Sequence, residues 1–184
     1  SGTTTTINSP ITDGSLPGDV VVAGTGTLNL SAANTYTGST GIDAGATLAL
    51  SGSGSVAASS GVDANGTFDI SQTTAGATIQ SLSGNGAAVL GSKTVTLSAA
   101  SGSFGGVISG SGGLNVTGGT ETLTGVNIYT GQTTVTNGAT LALSGSGSIA
   151  QSSGLTNNGT FNVTSANRNV NLTSFTQNST GNLV

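Results

Sequence analysis

An all-β solenoid of stacked parallel strands is the fold this sequence predicts, and three observations predict it. A Thr-apolar-x-apolar step recurs at a constant interval, as Thr27-Leu28-Asn29-Leu30, Thr47-Leu48-Ala49-Leu50 and Thr67-Phe68-Asp69-Ile70. A longer stretch occurs twice, 93 positions apart: residues 34–71 align without a gap to 127–164, and 24 of the 38 aligned positions are identical. Composition removes the alternatives. The 32 glycines and the abundant Ser, Thr and Asn disfavour helix. The 34% of apolar residues hold a register that a flexible linker would not keep. A fixed period in this range marks a fold in which each coil packs only on its neighbours.

The period-two alternation inside each step is a strand signal. It turns Leu28 and Leu30 inward and Thr27 and Asn29 outward. The second copy repeats the step as Thr140-Leu141-Ala142-Leu143 and Thr160-Phe161-Asn162-Val163. Asn-Gly pairs (Asn65-Gly66, Asn85-Gly86, Asn137-Gly138, Asn158-Gly159) supply the turns. Stacking residues 20 apart gives the columns Val22/Ile42/Val62, Leu28/Leu48/Phe68 and Leu30/Leu50/Ile70, and a fourth with Tyr36 beside Val56. These columns fall in three parts of each coil, as a three-sided coil with an apolar lining requires. Between Phe68 and Gly119 the rhythm loosens on paper, and two longer coils are expected to absorb the offset of 93. About eight coils, a rod on the order of 40 Å long, follow from a strand spacing of about 4.8 Å. Residues 1–184 form a single segment with copies at about 26–71 and 119–164. The polar start and the strand-like finish are expected of a piece of a longer rod, whose edges would fray or associate end to end.

Cysteine and histidine are absent, which removes disulfides, the usual zinc ligand sets and histidine-based catalysis. The net charge is −4, and Lys93 and Arg168 are the only basic residues. A nucleic-acid partner and an anionic membrane are therefore excluded as expectations. No apolar run is long enough to cross a bilayer as a helix.

Two segments carry a family resemblance. Asn34-Thr35-Tyr36-Thr37-Gly38 and Asn127-Ile128-Tyr129-Thr130-Gly131 are each followed by Gly-Ala-Thr-Leu-Ala-Leu. With Phe104-Gly105-Gly106-Val107-Ile108-Ser109-Gly110-Ser111-Gly112-Gly113-Leu114, they resemble the passenger-associated strand repeat of autotransporters across most of residues 20–165. The resemblance implies a right-handed parallel β-helix from a passenger domain secreted through the outer membrane of a Gram-negative bacterium. It also implies a cell-surface or released location, an outer-membrane C-terminal β-barrel translocator in the full-length protein, and a part in virulence as or beside an adhesin.

The candidate chemistry is thin. Asp43 and Asp63 lie 20 apart and are expected to stack, a spacing that suits acid–base work on a glycoside or a Ca²⁺ site. The second copy places Thr136 and Thr156 there, so the column reads as an outward, solvated position. Asp13, Asp19, Asp69 and Glu121 are scattered. Thr27, Thr47 and Thr67 form an outward column that would suit an ice-binding array, but Asn29, Ala49 and Asp69 break the column beside it. Tyr36 and Tyr129 sit in an apolar column and are expected in the core. Asn-x-Thr triplets such as Asn115-Val116-Thr117 follow from composition. No catalytic, cofactor-binding or metal-binding residue is assigned, and no cofactor is expected. The expected function is a non-enzymatic stalk or spacer of an autotransporter passenger, with adhesion to a host or cell-surface ligand, or self-association, as further roles. A carbohydrate-active β-helix and an ice-binding solenoid are the alternatives.

Overall fold

The structure, a computed structural model, describes residues 2–167 and 170–184; Arg168 lies outside them. Among the described residues there are 21 strands, numbered β1 to β21 along the chain, and no helix. No helix is therefore long and apolar enough to cross a membrane. Every strand pairing is parallel, and the chain winds as a β-solenoid of about nine turns.

Each turn visits three faces in order. Face I begins with β2 (Val20–Val22), β4 (Thr40–Ile42), β6 (Val62–Ala64) and β9 (Leu82–Ser83). A parallel bridge from Gly84 to Phe104 carries it on into β12 (Ser103–Phe104), β15 (Thr120–Leu123), β17 (Thr140–Gly145), β19 (Thr160–Ala166) and β21 (Asn182–Leu183). Face II holds β1 (Thr4–Ile7), β3 (Thr27–Leu30), β5 (Thr47–Gly52), β7 (Thr67–Thr73), β10 (Ala87–Val89) and β13 (Val107–Ser109). Face III holds β8 (Ala77–Ile79), β11 (Val95–Leu97), β14 (Leu114–Val116), β16 (Thr133–Val135), β18 (Leu155–Asn157) and β20 (Phe175–Gln177).

The interior is the predicted one. Leu48, Leu50, Leu141, Leu143, Phe68 and Ile70 are buried, while Thr47, Ala49 and Thr67 are only half-buried on the outer side. Tyr36 and Tyr129 are core residues, with almost no exposed surface. Leu28, near the first turn, is partly buried against the same core.

Two expectations need correction. Val62 does not continue the column of Val22 and Ile42: Val62 pairs with Thr40, and Ala64 takes the place beside Ile42. The cause is local. The corner from β4 to β5 has four residues (Asp43-Ala44-Gly45-Ala46), whereas the corner from β6 to β7 has only Asn65-Gly66. The short Asn-Gly corner must be compensated before β6, and β6 slides by two residues. The slide preserves which residues face inward, because side chains alternate with period two.

The second correction concerns the offset of 93. The two longer coils expected between Phe68 and Gly119 are not there. Leu28, Leu48, Phe68, Ala88 and Ile108 stand in unbroken register along face II, at the same constant interval as the sequence step. Instead, the second copy lies on different faces. In the first copy the short strand, β4, is on face I and the long strand, β5, on face II. In the second, β16 is on face III and β17 on face I. The copies are thus four turns and two sides apart, and about nine turns fit where eight were expected.

The Ser-Gly-Ser-Gly-Ser corner shows why the repeat needs its glycines. Both long strands bulge before it, at Ala49/Ser51 against β7 and at Ala142/Ser144 against β19. Gly52 and Gly145 then adopt left-handed φ values of 58° and 56°, which L side chains rarely adopt. Gly54 and Gly147 pass so close to the preceding coil that a Cβ on either would lie 2.0 Å from a carbonyl oxygen, of Leu30 and Leu123 respectively.

Replacing the buried Leu48 by Ala is expected to cost about 2–5 kcal/mol through the cavity it leaves. Asn29→Ala, on the outer side of β3, should cost under about 0.5 kcal/mol. Chemical denaturation of the two variants measures both, and equal losses would mean that the strand faces the other way.

Candidate functional site

The Asn-x-Tyr-Thr-Gly segments are the most chemically organised part of the rod, and both copies build the same arrangement. Asn34 is buried at a corner, where a polar side chain must find partners. Its Oδ1 accepts from the Ile11 N–H of the coil before (2.8 Å). Its Nδ2 donates to Ala32 O in its own coil (3.0 Å) and to Ser55 O in the coil after (2.9 Å). Asn127 repeats this with Ile108 N–H (2.9 Å), Gly125 O (3.1 Å) and Ser148 O (3.1 Å). One amide side chain therefore ties three successive coils together.

Two residues on, the tyrosine turns into the core and its hydroxyl must be satisfied there. Tyr36 Oη lies 2.7 Å from Thr40 Oγ1, which lies 2.8 Å from Ser59 Oγ of the next coil. Ser59 Oγ lies within donating distance of Gly38 O (2.9 Å) and Gly61 O (3.1 Å). The second copy matches: Tyr129 to Thr133 at 2.6 Å, Thr133 to Ser152 at 3.0 Å, Ser152 to Gly131 O at 2.7 Å and Gly154 O at 2.9 Å. Burial raises the ionisation of both phenols above the usual tyrosine range, the threonine hydroxyl only partly offsetting it. Neither tyrosine is available to stack on a sugar.

The acidic residues do not converge. Asp63 pairs with Gly41, so Asp43, one residue past β4, falls beside Asn65 rather than Asp63. The expected stack of the two carboxylates is absent, for the same two-residue slide of β6. Asp13 and Asp19 act as corner ties on the coil that follows them. Hydrogen bonds from the Thr37 hydroxyl, then Gly18 N–H and Thr37 N–H, hold the Asp13 carboxyl below its usual range. Ser39 N–H and hydroxyl do the same for Asp19. Among the described residues, no three Asp or Glu side chains gather where they could hold a metal ion.

Two features escaped the sequence reading. Thr27, Thr47 and Thr67 do stack on face II, and Thr140 and Thr160 on face I. The longer ladder is on face III, where Thr78, Thr96, Asn115, Thr134, Thr156 and Thr176 stand in register on six successive strands. Its spacing along the chain varies from coil to coil, so a strictly constant frame hides it. An open, uncharged groove of about 480 Å³ begins beside Thr78, Thr96 and Asn115 and is walled by Gly52–Ser55 and Thr74–Gly76.

The other feature is Glu121, which is fully buried in β15 with no hydrogen-bond partner for either carboxylate oxygen. It stands in register with Leu141 and Phe161. The signal was legible in Thr120-Glu121-Thr122-Leu123, which falls one period before Thr140-Leu141-Ala142-Leu143 and puts an acid in a leucine column.

Comparison with family models, curated proteins and solved structures finds no match to this chain.

Removing the amide of Asn127 by substitution with Ala strands one buried N–H and weakens the tie between three coils, an expected loss of about 2–4 kcal/mol. Tyr129→Phe keeps the ring and removes one hydroxyl, an expected loss of about 1–2 kcal/mol. Urea unfolding of the two variants decides the order; a larger loss for Tyr129→Phe would place the main tie in the hydroxyl chain.

Proposed function

We propose that this chain is a rigid, non-catalytic spacer of a secreted autotransporter passenger, holding other parts of that protein away from the bacterial surface. One observation carries the reading: the duplication keeps the wall and drops the charge from the surface. The residues that build corners and core recur unchanged, as in Asn34/Asn127, Tyr36/Tyr129, Thr40/Thr133 and Ser59/Ser152. Most inward differences are one apolar residue for another, as in Ile42/Val135, Val56/Ile149 and Val62/Leu155. Outward, Asp43, Asp63 and Asp69 are replaced by Thr136, Thr156 and Asn162, which removes all the charge. A duplicated binding or catalytic surface would have kept its outward chemistry. The motif resemblance supplies the autotransporter context, and the scattered acids support a non-enzymatic role. An apolar cleft on the last turns, lined by Phe161, Val163, Val170, Leu172, Phe175 and Leu183, supports self-association as a further role.

The test is excision of one whole coil, joining Thr47 directly to Phe68 so that face II stays in register. In the full-length protein on the cell surface, the shortened rod is expected to fold, to be exported and to keep its biological activity. Loss of activity with folding and export intact would overturn the spacer reading. Absence of a β-barrel domain from the full-length gene product would overturn the autotransporter reading.

A second reading, glycan binding, is favoured by the face III ladder. Hydroxyl and amide groups one strand apart, about 4.8 Å, repeat at close to the length of one sugar in an extended β-linked chain. Of the six ladder residues, only Thr156 takes a side-chain hydrogen bond among the described residues, from Gln132. Valine keeps the β-branched shape and drops the hydroxyl. Thr78→Val, Thr96→Val and Thr134→Val together are expected to abolish retention on insoluble β-linked glucan or chitin. The same change at Thr27, Thr47 and Thr67 should leave it intact. No retention of the unaltered protein on either polymer rejects this reading.

A further inference from the structure

We propose that Glu121 makes the middle of the rod a proton-controlled opening point: the coils close over the protonated carboxyl, and loss of that proton opens the solenoid there. The inward positions of face I run Val20, Thr40, Val62, Leu82, then Glu121, Leu141 and Phe161. Gly102 occupies the coil between Leu82 and Glu121, because Thr122 N–H bonds Gly102 O and Ser103 pairs with Thr122. A glycine below a glutamate leaves room for the longer side chain. A Cβ at Gly102 would itself lie only 2.1 Å from Leu82 O, so no other residue fits at that position.

The room comes without partners. Neither carboxylate oxygen is hydrogen-bonded. Among the described residues, no element packed around this coil turns a charged side chain into the core. On face I, β12 and β17 supply Phe104, Leu141 and Leu143; on faces II and III, Ile108, Leu114, Val116 and Val135 do the same. The one other titratable group buried in these coils is Tyr129, which stays neutral because burial holds its phenol above the usual range. Lys93 points outward and donates to Thr74 O. Asp63, earlier on face I, is exposed and takes hydrogen bonds from Asn65 and Ser83.

A buried carboxyl in this setting favours its neutral form. Desolvation pushes Glu121 up to about 8; the Leu82 backbone, close but outside hydrogen-bond geometry, offsets this only in part. The folded value thus lies above the unfolded one. Stability is greatest below the ordinary carboxylate range. It falls as pH rises from there to about 8, and changes little from this group beyond that. Asp13 and Asp19 act in the opposite sense, since their lowered values add stability that is lost only at acid pH. The alkaline limb therefore belongs to Glu121, between the aligned segments 34–71 and 127–164.

Denaturant unfolding of the protein between about pH 5 and pH 9 tests this, alongside Glu121→Gln and Glu121→Leu. For the unaltered chain the unfolding equilibrium constant should rise up to about tenfold per pH unit over the window, the change expected for one proton. Both variants should be flat there; Gln keeps the shape, and Leu copies the next residue in the column. Hydrogen exchange on the unaltered chain, corrected for the pH dependence of chemical exchange, should show new opening at β12, β15 and β17 on going to pH 9, with β5 and β7 unchanged. A flat profile for the unaltered chain, an equal slope in Glu121→Gln, or alkaline opening that starts elsewhere would each overturn the proposal.

Discussion

Register between one coil and the next is the constraint on which the rest of the rod depends. A solenoid has no layer to pack against except its own previous turn. Each strand must therefore offer its backbone groups to the turn before and the turn after, and set its inward side chains on theirs. Parallel pairing alone resists a slip of one residue, since that would turn every leucine outward. It resists a slip of two residues poorly. Asn34 and Asn127 supply what is missing. Each amide bonds three coils at once, and only one register lets it do so. The tyrosine, threonine and serine behind each asparagine extend the same tie into the core.

Much of this was legible before any coordinates. Period-two alternation told inside from outside, and Leu48, Leu50, Leu141 and Leu143 are where it put them. The three-sided coil followed from columns in three parts of the repeat. What failed was the assumption that equal sequence spacing means equal position. Corners of two and four residues compensate each other within a turn, so Val62 moved beside Thr40 while the length of the turn hardly changed. For the same reason Asp43 and Asp63, neat neighbours on paper, are not stacked. The offset of 93 was misread because a spacing along the chain says nothing about which face a strand joins. Glu121 is harder to read from the sequence because its charge groups it with the acids, while its position stands in a column of leucine and phenylalanine.

Surface and interior follow different rules here. Inward positions are mostly apolar, and the few polar ones are hydrogen-bonded except at Glu121, which has no partner, and at the Asn157 side-chain oxygen. Outward positions keep much of their sequence between the copies but lose all three carboxylates, and along the ladders like residues stand on like. Threonine suits such ladders because a β-branched side chain fits a pleated surface. The same pattern that stabilises a sheet thus also lays out a regular row of hydroxyl groups, and a structural preference comes to resemble a binding surface.

The placement of the two copies, four turns and two sides apart, has a consequence for how such a gene can grow. A stretch of wall that works equally well on face I, II or III need not be duplicated in whole turns. Unequal recombination can then cut anywhere that one corner follows another, and the product still threads into a continuous rod. The tied corners also end up on different sides of the shaft, so no single seam bears the load when the rod is bent. Length can be added in steps finer than a turn, and stiffness is spread around the axis as it is added.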